Sequence, residues 1–192
     1  MEADWEVDIG PEAGFIDAVW SGFVDLQRQP ERITDIPEAT QFPPLAETLL
    51  RLNGQTANPS EPTEVVPVWT AKCDLWDISD LDPDEMEATP SETSVGLACY
   101  IDILPDQGKV FPNLAAAEHW ARDVSARLQK IPARCCRADL VIRQAAAGNY
   151  DGLGITAYLS ACGPNSNVAK ASLAKALQNL VTSVLPSTET AS

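Results

Sequence analysis

The sequence has little of what metal and catalytic sites are usually made from. It contains one histidine, His119, and none of its five cysteines is spaced as CxxC. Structural zinc sites take closely spaced Cys and His ligands, so we expect neither a metal nor a cofactor. The GxGxxG pattern of dinucleotide-binding loops and the GxSxG elbow of α/β-hydrolases are also missing from the chain. These enzyme classes therefore have no support in the sequence.

Long apolar runs are missing as well. No stretch approaches the ~18 uninterrupted apolar residues of a membrane span. The N-terminus, MEADWEVDIGPEAGF, lacks the basic and then apolar pattern of a secretory signal. We therefore expect a cytoplasmic protein with reduced thiols. The five widely spaced cysteines do not suggest a disulfide scaffold in a chain of 192 residues.

Basic residues are scarce: 13 Lys and Arg stand against 28 Asp and Glu, a formal net charge of −15. Such a charge repels nucleic acid and anionic membranes at long range, so we expect neither as a partner. A protein partner would be basic. In that case the acidic stretch SDLDPDEMEATPSETS (79–94) would be the contact surface of an acidic inhibitor or immunity-type protein. The alternative is that this stretch is a solvated loop and that the acidity serves only solubility.

The spacing of apolar residues predicts three helices, over 43–53, 113–130 and 166–185. Gly54 is suited to end the first helix in the left-handed conformation, and Asn113 is suited to cap the second. We interpret 54–64 as a loop. The polar tail 186–192 is predicted to be disordered, outside a single domain of residues 1–185.

Segments rich in β-branched and aromatic residues predict five strands, over 14–26, 65–78, 94–104, 134–143 and 153–162. The resulting order is β-α-β-β-α-β-β-α. Its first six elements match the ferredoxin-like order β-α-β-β-α-β, with one extra strand and one extra helix. We therefore predict an α+β fold with a mainly antiparallel sheet of about five strands and helices on one face. Element order of this kind carries no function with it.

The stretch RCCRADLVIR (134–143) shows how the strands sort their side chains, which alternate between the two faces of a sheet. Alternation turns Cys136, Ala138, Leu140 and Ile142 toward the core and Cys135, Arg137, Asp139 and Arg143 the other way. Because Cys135 and Cys136 point in opposite directions, they do not form a chelating pair. In the predicted strand 65–78, the inward set is Trp69, Ala71, Cys73 and Leu75. Cys99 is a core residue by the same rule.

The opposite face collects polar and aromatic side chains that we take as the candidate binding site. These are Lys72, Asp74, Trp76, Tyr100, Asp102, Arg137, Asp139, Arg143 and Tyr158. Aromatic area in a polar surround is common at binding surfaces. We therefore favour a recognition face for a second copy of the chain, for another protein or for a small polar ligand. A solvated face with weak cross-strand ion pairs and the active site of a small enzyme are the alternatives.

Catalytic interpretations of this face have less support. Asp74, Asp102 and Asp139 are carboxylates of the kind that Mg²⁺ prefers. However, Lys72 and Arg137 are expected beside them, and ion pairs are the simpler arrangement.

A cysteine nucleophile is also a weak interpretation. Cys135 and Cys162 are expected on the polar face, where Arg137 could lower a thiol pKa. The only candidate base, His119, falls on a helix that is expected on the other side of the sheet. We conclude from the sequence that a non-enzymatic binding or assembly protein is favoured.

Overall fold

The computed structural model describes residues 1–55, 68–79, 81–105 and 109–185, which form a mixed α+β fold with a six-stranded sheet. The strands are β1 (Glu2–Val7), β2 (Phe15–Asp17), β3 (Trp69–Ile78), β4 (Val95–Leu104), β5 (Cys136–Ala147) and β6 (Tyr150–Gly163). The helices are α1 (Pro37–Gln41), α2 (Pro43–Leu52), α3 (Leu114–Gln129) and α4 (Ser166–Val184), with short 3₁₀ helices at Pro30–Asp35 and Asp84–Met86.

Some of the sequence predictions fall outside the described residues. The predicted loop 54–64 is described only to residue 55, and the predicted strand 65–78 is described from residue 68. The predicted disordered tail 186–192 lies wholly outside them.

The sheet is mixed, so the prediction of a mainly antiparallel sheet was wrong. Its strand order is β1-β5-β6-β4-β3, and β2 lies beside β5 further along the same edge. Both N-terminal strands run parallel to β5, while the β5–β6, β6–β4 and β4–β3 pairs are antiparallel. The sequence analysis missed β1, which is six residues long and strongly charged, and which pairs from Glu2 opposite Arg137 to Val7 opposite Ile142.

The ferredoxin-like element order is not confirmed by this topology. A split β-α-β arrangement places another strand between the two parallel strands. Here β1 pairs directly with β5, and β6 separates β5 from β4. The hairpin strand that we treated as an appendage is therefore the centre of the sheet.

The three predicted helices are present as α2, α3 and α4. Asn113 caps α3 by accepting a hydrogen bond from the Ala116 amide at 3.0 Å, as expected. Gly54 follows α2 with φ of 82°, the left-handed conformation predicted for it.

The main core lies between these helices and one face of the sheet. It contains Ala138, Leu140 and Ile142 of β5 together with Leu173 and Leu177 of α4, all essentially inaccessible to solvent. We call the opposite side of the sheet the open face.

A β-bulge in β3 moves two side chains that were predicted to face the main core. The pairing of β3 with β4 shifts between Thr70 and Lys72, so alternation is broken there. Trp69 and Ala71 consequently pack on the open side, and placing them in the main core was wrong. They belong to a second, smaller core of Ile16, Ala18, Trp69, Ala71, Leu104, Ala145 and Ala147.

The predicted strand 14–26 was also wrong over most of its length, because only Phe15–Asp17 is a strand. After Ala18 the chain leaves the open side, and Val24 and Leu26 are buried in the main core. Gly22 permits this path, since a Cβ at that position would lie 2.1 Å from the ring of Trp20. The segment is therefore a crossing between the two faces.

The bulge turns Thr70 toward α2, where Asn53 binds it with both ends of its amide. Asn53 donates to the Thr70 hydroxyl at 2.6 Å and to the Leu49 carbonyl at 2.7 Å, and it accepts from the Thr70 amide at 3.3 Å. We expect Asn53→Ala to lower the free energy of unfolding by about 2–3 kcal/mol, because buried polar groups lose their partners. Urea unfolding measures this value.

The matched control is Asn165→Ala at the exposed cap of α4, where the side chain accepts one hydrogen bond from Val168. A cap of this kind is worth about 1 kcal/mol. Equal costs for the two substitutions would show that the buried contact to Thr70 adds nothing.

Candidate functional site

The structure places all nine candidate residues on the open face. Cross-strand pairing puts Lys72 opposite Asp102, Asp74 opposite Tyr100, Tyr100 opposite Tyr158 and Tyr158 opposite Asp139. The candidates nevertheless do not form one site. Five of them, Lys72, Tyr100, Asp102, Arg143 and Tyr158, line a pocket near the bulge, and Arg137 and Asp139 form a separate ion pair near β1. Asp74 and Trp76 belong to neither group.

The pocket, which we call the open-face pocket, has a volume of about 200 Å³. Its lining is Gly14, Phe15, Ile16, Lys72, Tyr100, Asp102, Arg143, Thr156 and Tyr158. The N-terminal residues form one wall because β2 pairs with the far end of β5. The remaining side chains project from β3, β4, β5 and β6. Thr156, two residues before Tyr158 and so on the same face by alternation, was not singled out from the sequence, and the N-terminal wall was not predicted.

The terminal nitrogens of Arg143 are hydrogen-bonded, whereas its Nε–H group is not. Its side chain is 14% exposed and donates to Asp8 at 3.0 Å and to the Tyr158 hydroxyl at 3.2 Å. Its guanidinium carbon also lies 5.8 Å from the centroid of the Tyr158 ring. The Nε–H group is buried and has no hydrogen-bond partner among the described residues. A buried guanidinium therefore keeps one donor unsatisfied beside the pocket.

Asp102 is the other buried charge of the pocket. The residue is 7% exposed, and its Oδ1 accepts a hydrogen bond from the Thr156 hydroxyl at 2.7 Å. Burial raises the pKa of the Asp102 carboxyl to about 6, against the opposing effects of that hydrogen bond and two nearby positive charges. Within the described ranges no Lys or Arg nitrogen lies within 4.0 Å of this carboxylate. Near neutral pH the pocket therefore contains a carboxylate without a close cation.

Lys72 is the cross-strand neighbour of Asp102, yet its ammonium group is directed elsewhere. It lies over the ring of Trp20, 5.2 Å from the ring centroid. Its contribution to Asp102 is therefore a longer-range field. That field is one of the effects that oppose the increase of the Asp102 pKa by burial.

A row of aromatic rings extends from the pocket along the open face. The Tyr158 and Tyr100 centroids are 5.9 Å apart, and those of Tyr100 and Trp76 are 6.2 Å apart. Burial, with the nearby Asp102 charge, raises the pKa of Tyr100, so its hydroxyl stays protonated at neutral pH. Trp76 ends the row and is 37% exposed.

The second group of candidate residues is an internally satisfied ion pair. Arg137 donates to both carboxylate oxygens of Asp139, with the shortest contact at 2.7 Å, and also lies 3.6 Å from Glu85. These contacts raise the pKa of Arg137. Asp74 is exposed and accepts only from the Leu75 amide at 2.7 Å among the described residues. The three aspartates are thus engaged separately, and no cluster of three His, Cys, Asp or Glu suited to a metal occurs in the described ranges.

The acidic segment is anchored to the sheet at Met86, while more than half of residues 81–94 are exposed. Met86 is 3% exposed, and its carbonyl accepts a hydrogen bond from the Cys135 amide at 2.9 Å. Two of its glutamates have internal partners, since Glu92 lies 3.3 Å from Arg134 and Glu85 lies near Arg137. This part of the segment is therefore not simply a solvated excursion.

The cysteines differ in part from their predicted placement. Cys99 and Cys136 are buried in the main core, as expected, and Cys73 is half-buried against it. Cys135 precedes β5 and has φ of 59°, so strand alternation does not apply to it. Cys162 is fully buried.

Neither thiol on this side is prepared for nucleophilic attack. Burial raises the pKa of Cys135 and raises that of Cys162 to about 12, so both stay protonated at neutral pH. Arg137, which we expected to lower a thiol pKa, binds Asp139 instead. His119 lies on α3 and pairs with Asp123 at 3.4 Å.

A second cavity was not anticipated from the sequence. It has a volume of about 330 Å³ and lies along the outer edge of β3, between residues 20–24, 35–38 and 70–74. We call it the edge cleft. Trp20 and Glu38 line it, and both belong to irregular or very short elements that give no periodic signal.

Comparison of the chain with protein-family models, curated proteins and solved structures gives no match. The site is therefore interpreted from its own geometry. Among the helices of the described residues, none has the length and apolar character needed to cross a bilayer.

The pKa of Asp102 makes a test of its burial possible. The folded protein binds this proton more tightly than the unfolded chain, whose aspartate pKa is close to 4. The contribution of Asp102 to wild-type stability should therefore fall as pH rises from about 4 through 6. We expect Asp102→Asn to gain stability relative to wild type over that window, by up to about 3 kcal/mol at pH 7.5.

Urea unfolding of both proteins between pH 4 and 7.5 gives this difference, with the exposed Asp151→Asn as the control. A difference between the Asp102 variant and wild type that stays constant with pH would contradict a buried, poorly paired carboxylate.

Proposed function

We propose that the protein binds a small polar ligand in the open-face pocket. The ligand presents an anionic group to Arg143 and a hydrogen-bond donor to Asp102. One observation carries this proposal: Arg143 and Asp102, two largely buried groups of opposite charge, line the same accessible pocket. The second carboxylate oxygen of Asp102 has no hydrogen-bond partner among the described residues. The Arg143 Nε–H group is also unpaired but is itself buried, so a ligand would contact the guanidinium through its terminal nitrogens.

The free-energy cost of burying an unpaired charge supports this interpretation. Burying a charge without close partners is unfavourable, and such groups usually acquire a partner or lose their charge. A carboxylate that remains incompletely paired beside a cavity, close to a guanidinium, is better explained by a ligand that binds both charges. Titratable groups with a pKa displaced by burial, lying in a cleft, are also typical of functional sites.

Size and charge narrow the class of ligand. The pocket volume of about 200 Å³ is below the range of roughly 300–1,000 Å³ that is typical for drug-sized ligands. A net charge of −15 disfavours a polyanion at long range. A zwitterion of the size of an α-amino acid meets both conditions. Its carboxylate would contact Arg143 and its ammonium group would contact Asp102.

An enzyme acting in the same pocket is the second candidate. A carboxyl group with a pKa of about 6 is suited to act as a general acid or base near neutral pH. Tyr158 and Thr156 lie beside it and would orient a bound substrate. The binding proposal requires fewer assumptions, because it needs no reacting atom to be identified.

A homodimer formed through the open face remains a prediction and has a separate test. It depends on Trp76, which ends the aromatic row and is partly exposed. Sedimentation of the wild type should then reveal a dimer that Trp76→Glu disperses and that Val168→Glu, at an exposed position of α4 on the helical side of the sheet, leaves intact. A wild-type monomer at high concentration removes this form of the proposal.

Capture of a basic protein by the acidic segment 79–94 also remains a prediction. Because Glu85 and Glu92 already bind arginines, the segment would contact such a partner through its other carboxylates.

The ligand proposal predicts different effects for two arginines of the open face. NMR titration of isotope-labelled protein with a panel of α-amino acids and small hydroxy acids should shift the amides of Thr156 and Tyr158. We expect Arg143→Leu to weaken the affinity for the best ligand by about tenfold or more, because a hydrogen bond to a charged group is lost.

The matched control is Arg137→Leu, which removes the same charge from the same face outside the pocket and should retain binding. Unchanged amide spectra elsewhere verify folding. The proposal fails if no panel member shifts these amides, or if both arginine variants bind equally well.

A further inference from the structure

The edge cleft has one aromatic wall that is fixed in position before any ligand arrives. Trp20 donates from its indole Nε1 to the Ala71 carbonyl at 3.2 Å, which ties the ring to the edge strand β3. The same ring lies against Gly22 so closely that no larger residue would fit there. Trp20 is 38% exposed, so the fixed ring remains accessible.

That ring already accepts a cation. The Lys72 ammonium group lies 5.2 Å from its centroid, within the distance of a cation–π interaction. Lys72 lines both this cleft and the open-face pocket. The ring face is thus suited to a positively charged group, and the group now on it belongs to a mobile kind of side chain.

The rest of the cleft combines apolar walls with negative charge. Val24, Ile36 and Leu49 supply apolar surface, and Glu38 and Asp74 line the same cavity. Neither carboxylate is paired with a Lys or Arg of the described residues, whereas Asp35 nearby is held by Arg32 at 2.7 Å. Two acidic groups are therefore available to a ligand.

The raised pKa of the Cys73 thiol agrees with a negative field in the cleft. Burial raises the pKa of this thiol to about 12, and the charges of Glu38 and Asp74 add to the increase. A field that disfavours a thiolate would favour a cation at the same place.

We propose that the edge cleft is a second binding site, specific for small organic cations with an apolar body, such as aryl-alkyl amines. The apolar part fills the space against Val24 and Ile36, and the ammonium group lies between the Trp20 ring and Glu38. This site does not depend on the open-face pocket having a ligand. A neutral or anionic molecule of the same shape gains the apolar contacts only.

Phenethylamine is a suitable probe, with 2-phenylethanol and phenylacetate as neutral and anionic analogues of similar size. Isothermal titration calorimetry of the wild-type chain should give saturable binding of the amine and weaker or undetectable binding of both analogues. Glu38→Gln should weaken the affinity for the amine by about two- to fivefold, the range of a solvent-accessible charge pair. Trp20→Leu should weaken it by about three- to tenfold.

Two controls separate this site from general acidity and from the open-face pocket. Glu31→Gln removes the same charge outside the cleft and should leave the affinity unchanged. Arg143→Leu should also leave it unchanged, since Arg143 does not line the cleft. Because Glu38→Gln replaces a side chain of equal size, its result does not depend on whether Trp20→Leu folds.

The proposal is overturned if the amine shows no saturable binding at millimolar concentration, or if 2-phenylethanol binds as well as the amine. Equal affinities for the wild type and Glu38→Gln would overturn it too.

Discussion

Side-chain alternation in β4, β5 and β6 is the constraint on which the rest of the structure depends. The register that buries Leu140 opposite Ala157 in the main core also sets Tyr158 opposite Tyr100 on the open face. A shift of one residue would exchange the two faces, exposing the core and burying the charges. Packing under the helices and the geometry of the candidate site are therefore fixed by the same pairing.

The N-terminal chain converts one end of this face into a pocket. Asp8 binds Arg143, and β2 places Ile16 and Phe15 beside the end of β5. The other end of the face is covered in part by the acidic segment, where Met86 contacts Ser160 and Glu85 lies near Arg137, but Trp76 there remains partly exposed. Asp102 is thus buried by a local wall as well as by its strand. This explains how one face carries both a buried carboxylate and exposed aromatic surface.

Local pattern was sufficient to predict the helices α2, α3 and α4, the long strands and the placement of the nine candidates on the open face. It was insufficient where long-range pairing decides the structure. The parallel pairing of Glu2–Val7 with β5 joins segments more than a hundred residues apart, and the bulge after Thr70 reverses Trp69 and Ala71 without any change in hydrophobic pattern. Trp20 was assigned to a strand because its segment is rich in apolar residues.

The division of the nine candidates was also beyond the sequence. Alternation placed Arg137 and Arg143 on one face as equivalent residues. In the structure Arg137 is satisfied by Asp139, its neighbour on the same strand, whereas Arg143 lies beside the pocket with a free Nε–H group. The difference arises from Asp8 and the N-terminal wall, which the strand pattern does not encode.

The most direct measurement of the central claim is the pKa of Asp102, followed through the NMR shift of its carboxyl carbon as pH is varied. The account predicts a value of about 6 in the free protein, rising further in Arg143→Leu because a positive charge that opposes the increase is removed. A value near 4, unchanged in that variant, would mean that the carboxylate is solvated or fully paired. The open-face pocket would then lose the feature that identifies it as a site.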